Sequence, residues 1–450
     1  MFLNLDSFSK FDLIILFEEV PLNNSVSKIL THHYTENVIV NKILPFTNDQ
    51  IGLGFLIDYE IENKKFQSLG ALFSSSSSKF DIMIFDNKQF PFNNKVKPSH
   101  LIEWTKSSNK DSRNMLYQRF TKFVSHDYID IKQSLIIEQG STSKKITSAY
   151  KIIARLYKTV GVPVLITSVD NEVPIEAKLF NEAIPYSSVE ELINEKNNQK
   201  KPVSGQEQKF NYSENGKLEY SIRLQKGKTE SGWSDPSVGT VLLNAFALRK
   251  LGYLYNLNIV KHQFKNEVLK TIITGKSKHH KAFEKFNITL DNYSFQFTGN
   301  EFNWGIDKNT EKVGSIYVHC LINLDPLIDV IFHNHAGGEY SDITIKGERI
   351  IFEQMESKPD LCFVSNQHKK IFVIEAKKTQ YLEQGRKQIL NTNKFSNLIK
   401  SYYKEFEIIN LLVLTDSEKE HSTECPDDVL LIYRNGKEPL INNSYKYLFN

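Results

Sequence analysis

The chain of 450 residues is 40% apolar and 12% aromatic, too long for one ordinary core and too hydrophobic to be disordered, so two or three packed domains are expected. Its three cysteines, Cys320, Cys362 and Cys425, lie far apart, which excludes a disulfide framework and a paired zinc site and points to a reducing compartment. The net charge of +3 is small but unevenly spread along the chain, and a polyanionic partner responds to that distribution rather than to the sum.

The N-terminal sequence MFLNLDSFSKFDLIILFEEV has an apolar run of only five residues, Leu13 to Phe17, between acidic flanks, unlike a secretory signal. No uninterrupted apolar stretch approaches the ~20 residues needed to cross a bilayer. A soluble, cytoplasmic protein with no membrane partner is expected. Residues 1–60 carry three lysines against eight acids, whereas residues 95–158 carry thirteen Lys and Arg against five. Strand-like runs at 80–85, 101–105, 135–138 and 162–168, the later ones separated by helical patterns, make residues 1–185 an α/β domain. The serine run 74–78 reads as a loop.

Two carboxylates stand out in this domain. Asp81 opens one apolar run and Glu103 closes another, and a basic amphipathic helix follows with Arg113, Asn114, Gln118 and Arg119. Thr105 stands two residues after Glu103. Lys106 comes next and faces the other side of an ideal strand; a bulge at Thr105 would be needed to bring it back.

Residues 186–228 lack apolar periodicity and read as a linker. A helical, basic segment is expected over 229–292. Its first part, 235–255, has apolar positions at helical spacing and Gly252 where a helix would end. Its later part, 258–286, holds seven lysines and three histidines against two acids, with Lys276, Lys278 and Lys281 as candidate phosphate contacts. His279-His280 suits phosphate contact or solvation better than metal binding. Lys226-Gly227-Lys228-Thr229 is not the end of a P-loop, because Ile222 stands where the phosphate-cradling loop needs glycine.

The C-terminal domain, expected over 293–450, contains the strongest pattern. In SKPDLCFVSNQHKKIFVIEAKKTQ two apolar runs, 361–364 and 371–374, flank the polar sequence SNQHKK, a hairpin signal. Pairing Ser365 with Lys370 puts Phe363 opposite Phe372 and Asp360 opposite Glu375. Opposed residues share a face with Cβ atoms roughly 4.5–5.5 Å apart, and Lys377 shares that face by strand alternation. Two carboxylates about 5 Å apart repel by roughly 3 kcal/mol at an effective dielectric of 20, a cost that a divalent cation removes. Oxygen ligands of this kind suit Mg²⁺. Residues 366–404 are again basic, nine Lys and Arg against two acids, and include a helical pattern with Arg386, before a further buried strand at 408–415. Glu339, Asp342 or Glu353 could supply an extra metal carboxylate, although Gly337-Gly338 beside them reads rather as a loop turn. His333-Asn334-His335 is not an HNH nuclease site, whose named residues do not form a literal tripeptide.

Pro359-Asp360, fourteen intervening residues and Glu375-Ala376-Lys377 resemble the PD-(D/E)xK nuclease motif, and the segment IEWTKSSNKDSRNMLYQRFTKF resembles a block of certain type II restriction endonucleases. The resemblance implies a restriction-endonuclease-like mixed sheet flanked by helices, present twice and joined by a helical middle segment. It further implies Mg²⁺-dependent, site-specific cleavage of double-stranded DNA to 5′-phosphate and 3′-hydroxyl ends. Asp360, Glu375 and Lys377 are then catalytic, with Asp360 and Glu375 on the metal. Asp81, Glu103 and Lys106 are the candidate second set, Asp81 and Glu103 being its metal ligands. Two active sites would let a monomer cut both strands, with a homodimer of single-site chains as the alternative, and a cognate DNA methyltransferase would be the functional partner. A non-catalytic DNA-binding protein and a structure-specific repair or recombination nuclease remain alternatives.

Overall fold

The computed structural model describes residues 8–21, 25–48, 51–74, 80–86, 96–107, 113–123, 131–139, 148–168, 175–198, 208–212, 214, 216, 218–223, 235–253, 258–263, 267–272, 296–297, 311–334, 342–351, 358–417, 428–433 and 440–441. Chain order in the first half is β1 (Ile14–Phe17), α1 (Ser25–Tyr34), β2 (Val38–Asn48), β3 (Gly52–Ile61), β4 (Lys64–Ser74), β5 (Ile82–Phe85), β6 (His100–Ser107), α2 (Arg113–Phe123), β7 (Lys132–Gln139), α3 (Ser148–Val160) and β8 (Val164–Ser168). The middle holds α4 (Ile175–Glu182), α5 (Val189–Asn197), β9 (Gln208–Tyr212), β10 (Leu218–Arg223), α6 (Asp235–Lys250), β11 (Asn258–Gln263), β12 (Glu267–Ile272) and β13 (Gln296–Phe297). Then follow α7 (Glu311–Ile322), β14 (Ile328–His333), β15 (Asp342–Ile345), β16 (Glu348–Ile351), β17 (Leu361–Ser365), β18 (Lys370–Lys378), α8 (Leu382–Asn391), α9 (Asn393–Tyr402), β19 (Glu407–Ser417), β20 (Val429–Tyr433) and β21 (Leu440–Ile441).

The chain forms two units, the first comprising 1–74, 84–90 and 295–450, the second 75–83 and 91–294. A division falls at 294/295, beside the expected boundary at 292, and none falls at 185 or 228. In the first unit β2, β3 and β4 form an antiparallel meander, with β1 parallel to β4 and β13 antiparallel to it. A second sheet in the same unit runs β14-β17-β18-β19-β20-β21. Tyr317, Val318 and Ile322 of α7 join the core of that sheet, and Leu44 of β2 packs on the same cluster. Contacts between chain segments so far apart cannot be read from local patterning, which is why the N-terminal residues join the C-terminal motif here.

The second unit has a parallel run β6-β7-β8 with α2 and α3 as intervening helices. A further sheet is ordered β12-β11-β10-β9. Two expectations are corrected at this point. The supposed linker 186–228 contains α5, β9 and β10, and the supposedly helical basic segment contains β11 and β12 as an antiparallel pair. Lysine density masked the alternation in NIVKHQ and EVLKTI. The helix expected from 235 is α6, and it ends as anticipated: Gly252 has φ +93, and Tyr253 N–H donates to the Leu248 carbonyl at 2.9 Å, closing the last turn. Among the described residues no helix is long and apolar enough to cross a membrane.

Candidate active site

The β17–β18 register is the one the apolar runs predict, from Ser365↔Lys370 to Leu361↔Ile374. β18 pairs with β17 on one side and, in parallel, with β19 on the other, so its middle is buried on both faces and reads as a continuous apolar run. Alternation then sorts its side chains. Phe372, Ile374 and Ala376 enter the cluster beneath α7, whereas Ile371 and Val373 join Cys362, Val364 and the α8–α9 residues Ile389, Phe395 and Ile399. Glu375 and Lys377 extend the second of these faces, and Asp360 extends the Val364–Cys362 row towards them.

Asp360 lies just before β17, where the hairpin ladder would otherwise end. Its main-chain N–H donates to the Ile374 carbonyl at 3.0 Å. Its carboxylate Oδ2 accepts the Ala376 N–H at 2.9 Å. The aspartate thus clasps the residue immediately after Glu375. Lys377 Nζ lies 3.2 Å from Glu375 Oε1. Asp360, Glu375 and Lys377 are only 8%, 7% and 8% exposed. Burying charged groups together is costly unless they answer one another or a ligand; here Lys377 answers Glu375, and the Ala376 amide answers Asp360. Helix α8 comes close because residue 385 has no side chain: a Cβ there would meet Leu412 Cδ2 at 2.5 Å and Lys377 Cγ at 3.0 Å.

The donor set fits Mg²⁺. Two carboxylates converge beside a lysine, and this ion favours one or two protein carboxylates with its remaining positions filled by water and phosphate. Among the described residues no group of three or more His, Cys, Asp or Glu is arranged to hold a metal; an ion at this point would be held by Asp360 and Glu375. Glu339 and Glu353 lie outside the described residues, as does the side chain of Asp342. Cys362, adjacent to this row, is a buried free thiol, as is Cys320, and burial pushes both thiols well above their ordinary range.

The second carboxylate pair lies within the other unit. Asp81 precedes β5, and its Oδ2 accepts the Trp104 N–H at 2.7 Å. This is the same clasp: in both places an aspartate caps the amide directly after a glutamate. Glu103 therefore corresponds to Glu375 and Thr105 to Lys377. The environment differs. Glu103 is fully buried and pairs with Arg119 of α2 at 2.9 Å, while the same guanidinium donates to Thr105 Oγ1 at 3.1 Å. Lys106 belongs to β6, but its side chain lies outside the described residues.

Other expected DNA contacts divide. Arg119 is turned onto Glu103, not outward as the basic-helix reading supposed. Arg386 is likewise held by acids, its Nε and Nη2 against Asp428 at 3.0 and 3.2 Å and its Nη1 against Glu383 at 2.9 Å; that fork of partners raises its already high pKa and uses its charge internally. Gln118 is partly buried on α2, and Arg113 and Asn114 occupy the first turn of that helix with side chains outside the described residues. Lys276, Lys278 and Lys281 also lie outside them. Sequence reasoning missed the structural role of Arg119, although a threonine in the lysine position is a signal that a cation must come from elsewhere.

No protein-family model, no curated protein and no solved structure matches the chain. Its own geometry defines the class: a mixed α/β protein with large mixed sheets flanked by helices, carrying a buried Asp–Glu–Lys cluster at the end of a central strand.

Proposed function

We propose that the protein is a Mg²⁺-dependent, site-specific double-strand DNA endonuclease of the type II restriction-enzyme kind, with a restriction-endonuclease-like fold around β17 and β18. The observation that carries this reading is the convergence of Asp360, Glu375 and Lys377 on one face of a β-hairpin, with Asp360 clasping the Ala376 amide.

Asp360 and Glu375 would hold the ion, which when bound neutralises their charge, polarises the scissile phosphate and acidifies water. The remaining work belongs to the chain. The Asp360–Ala376 hydrogen bond fixes the aspartate's rotamer. Lys377, beside Glu375, orients the attacking water and offsets the negative charge that builds up as the water's oxygen bonds to phosphorus, the water's proton passing to solvent. The P–O3′ bond breaks on the opposite side and the leaving oxygen takes a proton from solvent, giving a 5′-phosphate and a 3′-hydroxyl. Apolar packing on both faces of β18 keeps these side chains from drifting.

Digestion of a mixed-sequence plasmid and of phage DNA with Mg²⁺, followed by end sequencing, tests the reading. Discrete fragments with one shared terminal sequence support it. Unselective degradation would favour a structure-specific nuclease, and binding without cleavage a non-catalytic DNA-binding protein.

A further inference from the structure

We propose that Arg119 is a tethered cation occupying the place a metal takes in the second carboxylate centre, so that Asp81 and Glu103 hold no divalent ion and, of the two carboxylate centres, only that of Asp360 and Glu375 takes one. The inference rests on the proposed reading only in taking Asp360 and Glu375 as a metal site.

The two centres share one backbone device and diverge at one point. Asp81 Oδ2 reaches the Trp104 amide at 2.7 Å and Asp360 Oδ2 the Ala376 amide at 2.9 Å, which puts Glu103 and Glu375 in equivalent positions. The residue two further on is Lys377 in one centre and Thr105 in the other. Where lysine is missing, one guanidinium spans both positions, with Nη1 2.9 Å from Glu103 Oε1 and Nη2 3.1 Å from Thr105 Oγ1. The planar fork of a guanidinium holds two acceptors at once, so one side chain fills both positions. Its helix is anchored on either side of it, since Leu116 and Phe120 are fully buried.

Access points the same way. Glu103 is 0% exposed, whereas Glu375 retains 7%. Mg²⁺ bonds oxygen at about 2.0–2.1 Å and keeps several waters. To enter here it would have to displace Arg119 from a carboxylate that solvent does not reach, or share that carboxylate with a like charge. The residues present therefore do not fit a metal. Glu103 and Arg119 instead form a structural ion pair joining β6 to α2.

The test is Mn²⁺ binding to the full chain, counted by paramagnetic resonance of the free ion, without DNA. Wild type is expected to bind an ion that Glu375→Gln removes and Glu103→Gln leaves in place. In a Glu375→Gln background, Arg119→Met is expected to restore a site that adding Glu103→Gln abolishes. Should Arg119→Met not fold, the Glu103→Gln count decides alone, because Gln is isosteric and can still accept from Arg119. Loss of one Mn²⁺ per chain in Glu103→Gln overturns the inference. If instead the count is insensitive to both Glu375→Gln and Glu103→Gln, the proposed catalytic centre fails while Arg119's role as the resident cation stands.

Discussion

Asp360 does two jobs that substitution can separate. Its Oδ2 satisfies the buried Ala376 N–H at 2.9 Å, and its charge opposes that of Glu375 across the hairpin. Asp360→Ala strands the amide, at a cost of about 1–3 kcal/mol. Removing the charge also relieves repulsion, at most about 3 kcal/mol for charges about 5 Å apart at an effective dielectric of 20. The relief is smaller here because Lys377 already lies 3.2 Å from Glu375. Asp360→Asn keeps an acceptor for the amide and removes the charge. In metal-free buffer the Asn variant should therefore equal or exceed wild type in stability and exceed the Ala variant by about 1–3 kcal/mol. That gap corresponds to several degrees in Tm, at about 2–4 °C per kcal/mol for a domain of 150–250 residues. Addition of Mg²⁺ should raise the Tm of wild type, through binding to the folded state alone, and leave both variants unmoved. Cleavage should fall at least about a hundredfold in both, as expected when a catalytic group is removed. Thermal melts with and without Mg²⁺, beside a plasmid-nicking assay, read all of this. Equal stability of the Asn and Ala variants would refute the role assigned to the Ala376 hydrogen bond, and wild-type cleavage by Asp360→Asn would refute the role assigned to the charge.

Three further outcomes are expected. Gly385→Ala puts a Cβ 2.5 Å from Leu412 Cδ2 and 3.0 Å from Lys377 Cγ, so it should displace α8 or Lys377 and reduce cleavage more than it reduces DNA binding in a gel-shift titration; unchanged cleavage would show that Lys377 tolerates the displacement. Lys196 is 2% exposed, and burial holds its pKa down to about 7, with Glu195 pulling weakly the other way. The unfolded chain then binds the extra proton between about pH 7 and 10.5, so stability rises with pH across that window by up to about 1.4 kcal/mol per unit; Lys196→Met should flatten the slope in denaturant melts, and an unaltered slope would assign it to another group. DNA affinity should fall steeply between 50 and 200 mM salt as phosphate contacts release counterions, and a salt-insensitive affinity would argue against DNA as the partner.

What was legible in the sequence was local. The β17–β18 register follows from two apolar runs around a polar turn, and the close of α6 from Gly252. Short apolar runs likewise marked β5 to β8. The β2–β4 meander was not singled out, and its turn at Glu62-Asn63, both residues with positive φ, carries no glycine to announce it. Helix α5 lies in a stretch whose polar composition reads as linker, although Ser188 and Glu191 form a capping signature, with the Glu191 N–H donating to Ser188 Oγ at 3.1 Å. Its attachment to α3 depends on Arg155, which pairs with Glu191 and Glu195 and lies over the Tyr186 ring; that geometry needs three dimensions. The same holds for the site. Asp360, Glu375 and Lys377 are neighbours on one hairpin and could be placed by counting. Arg119 reaches Glu103 from a helix sixteen residues on, a pairing that counting along the strands does not give.

The central claim is that Asp360, Glu375 and Lys377 form a hydrolytic centre, and the most direct measurement is single-turnover cleavage of plasmid DNA by wild type, Glu375→Gln and Lys377→Ala in the presence of Mg²⁺, with DNA binding measured in parallel. The account predicts discrete cutting by wild type that stops when Mg²⁺ is chelated, and loss of cutting in both variants with DNA binding retained. Full cutting by either variant at matched concentration would contradict it.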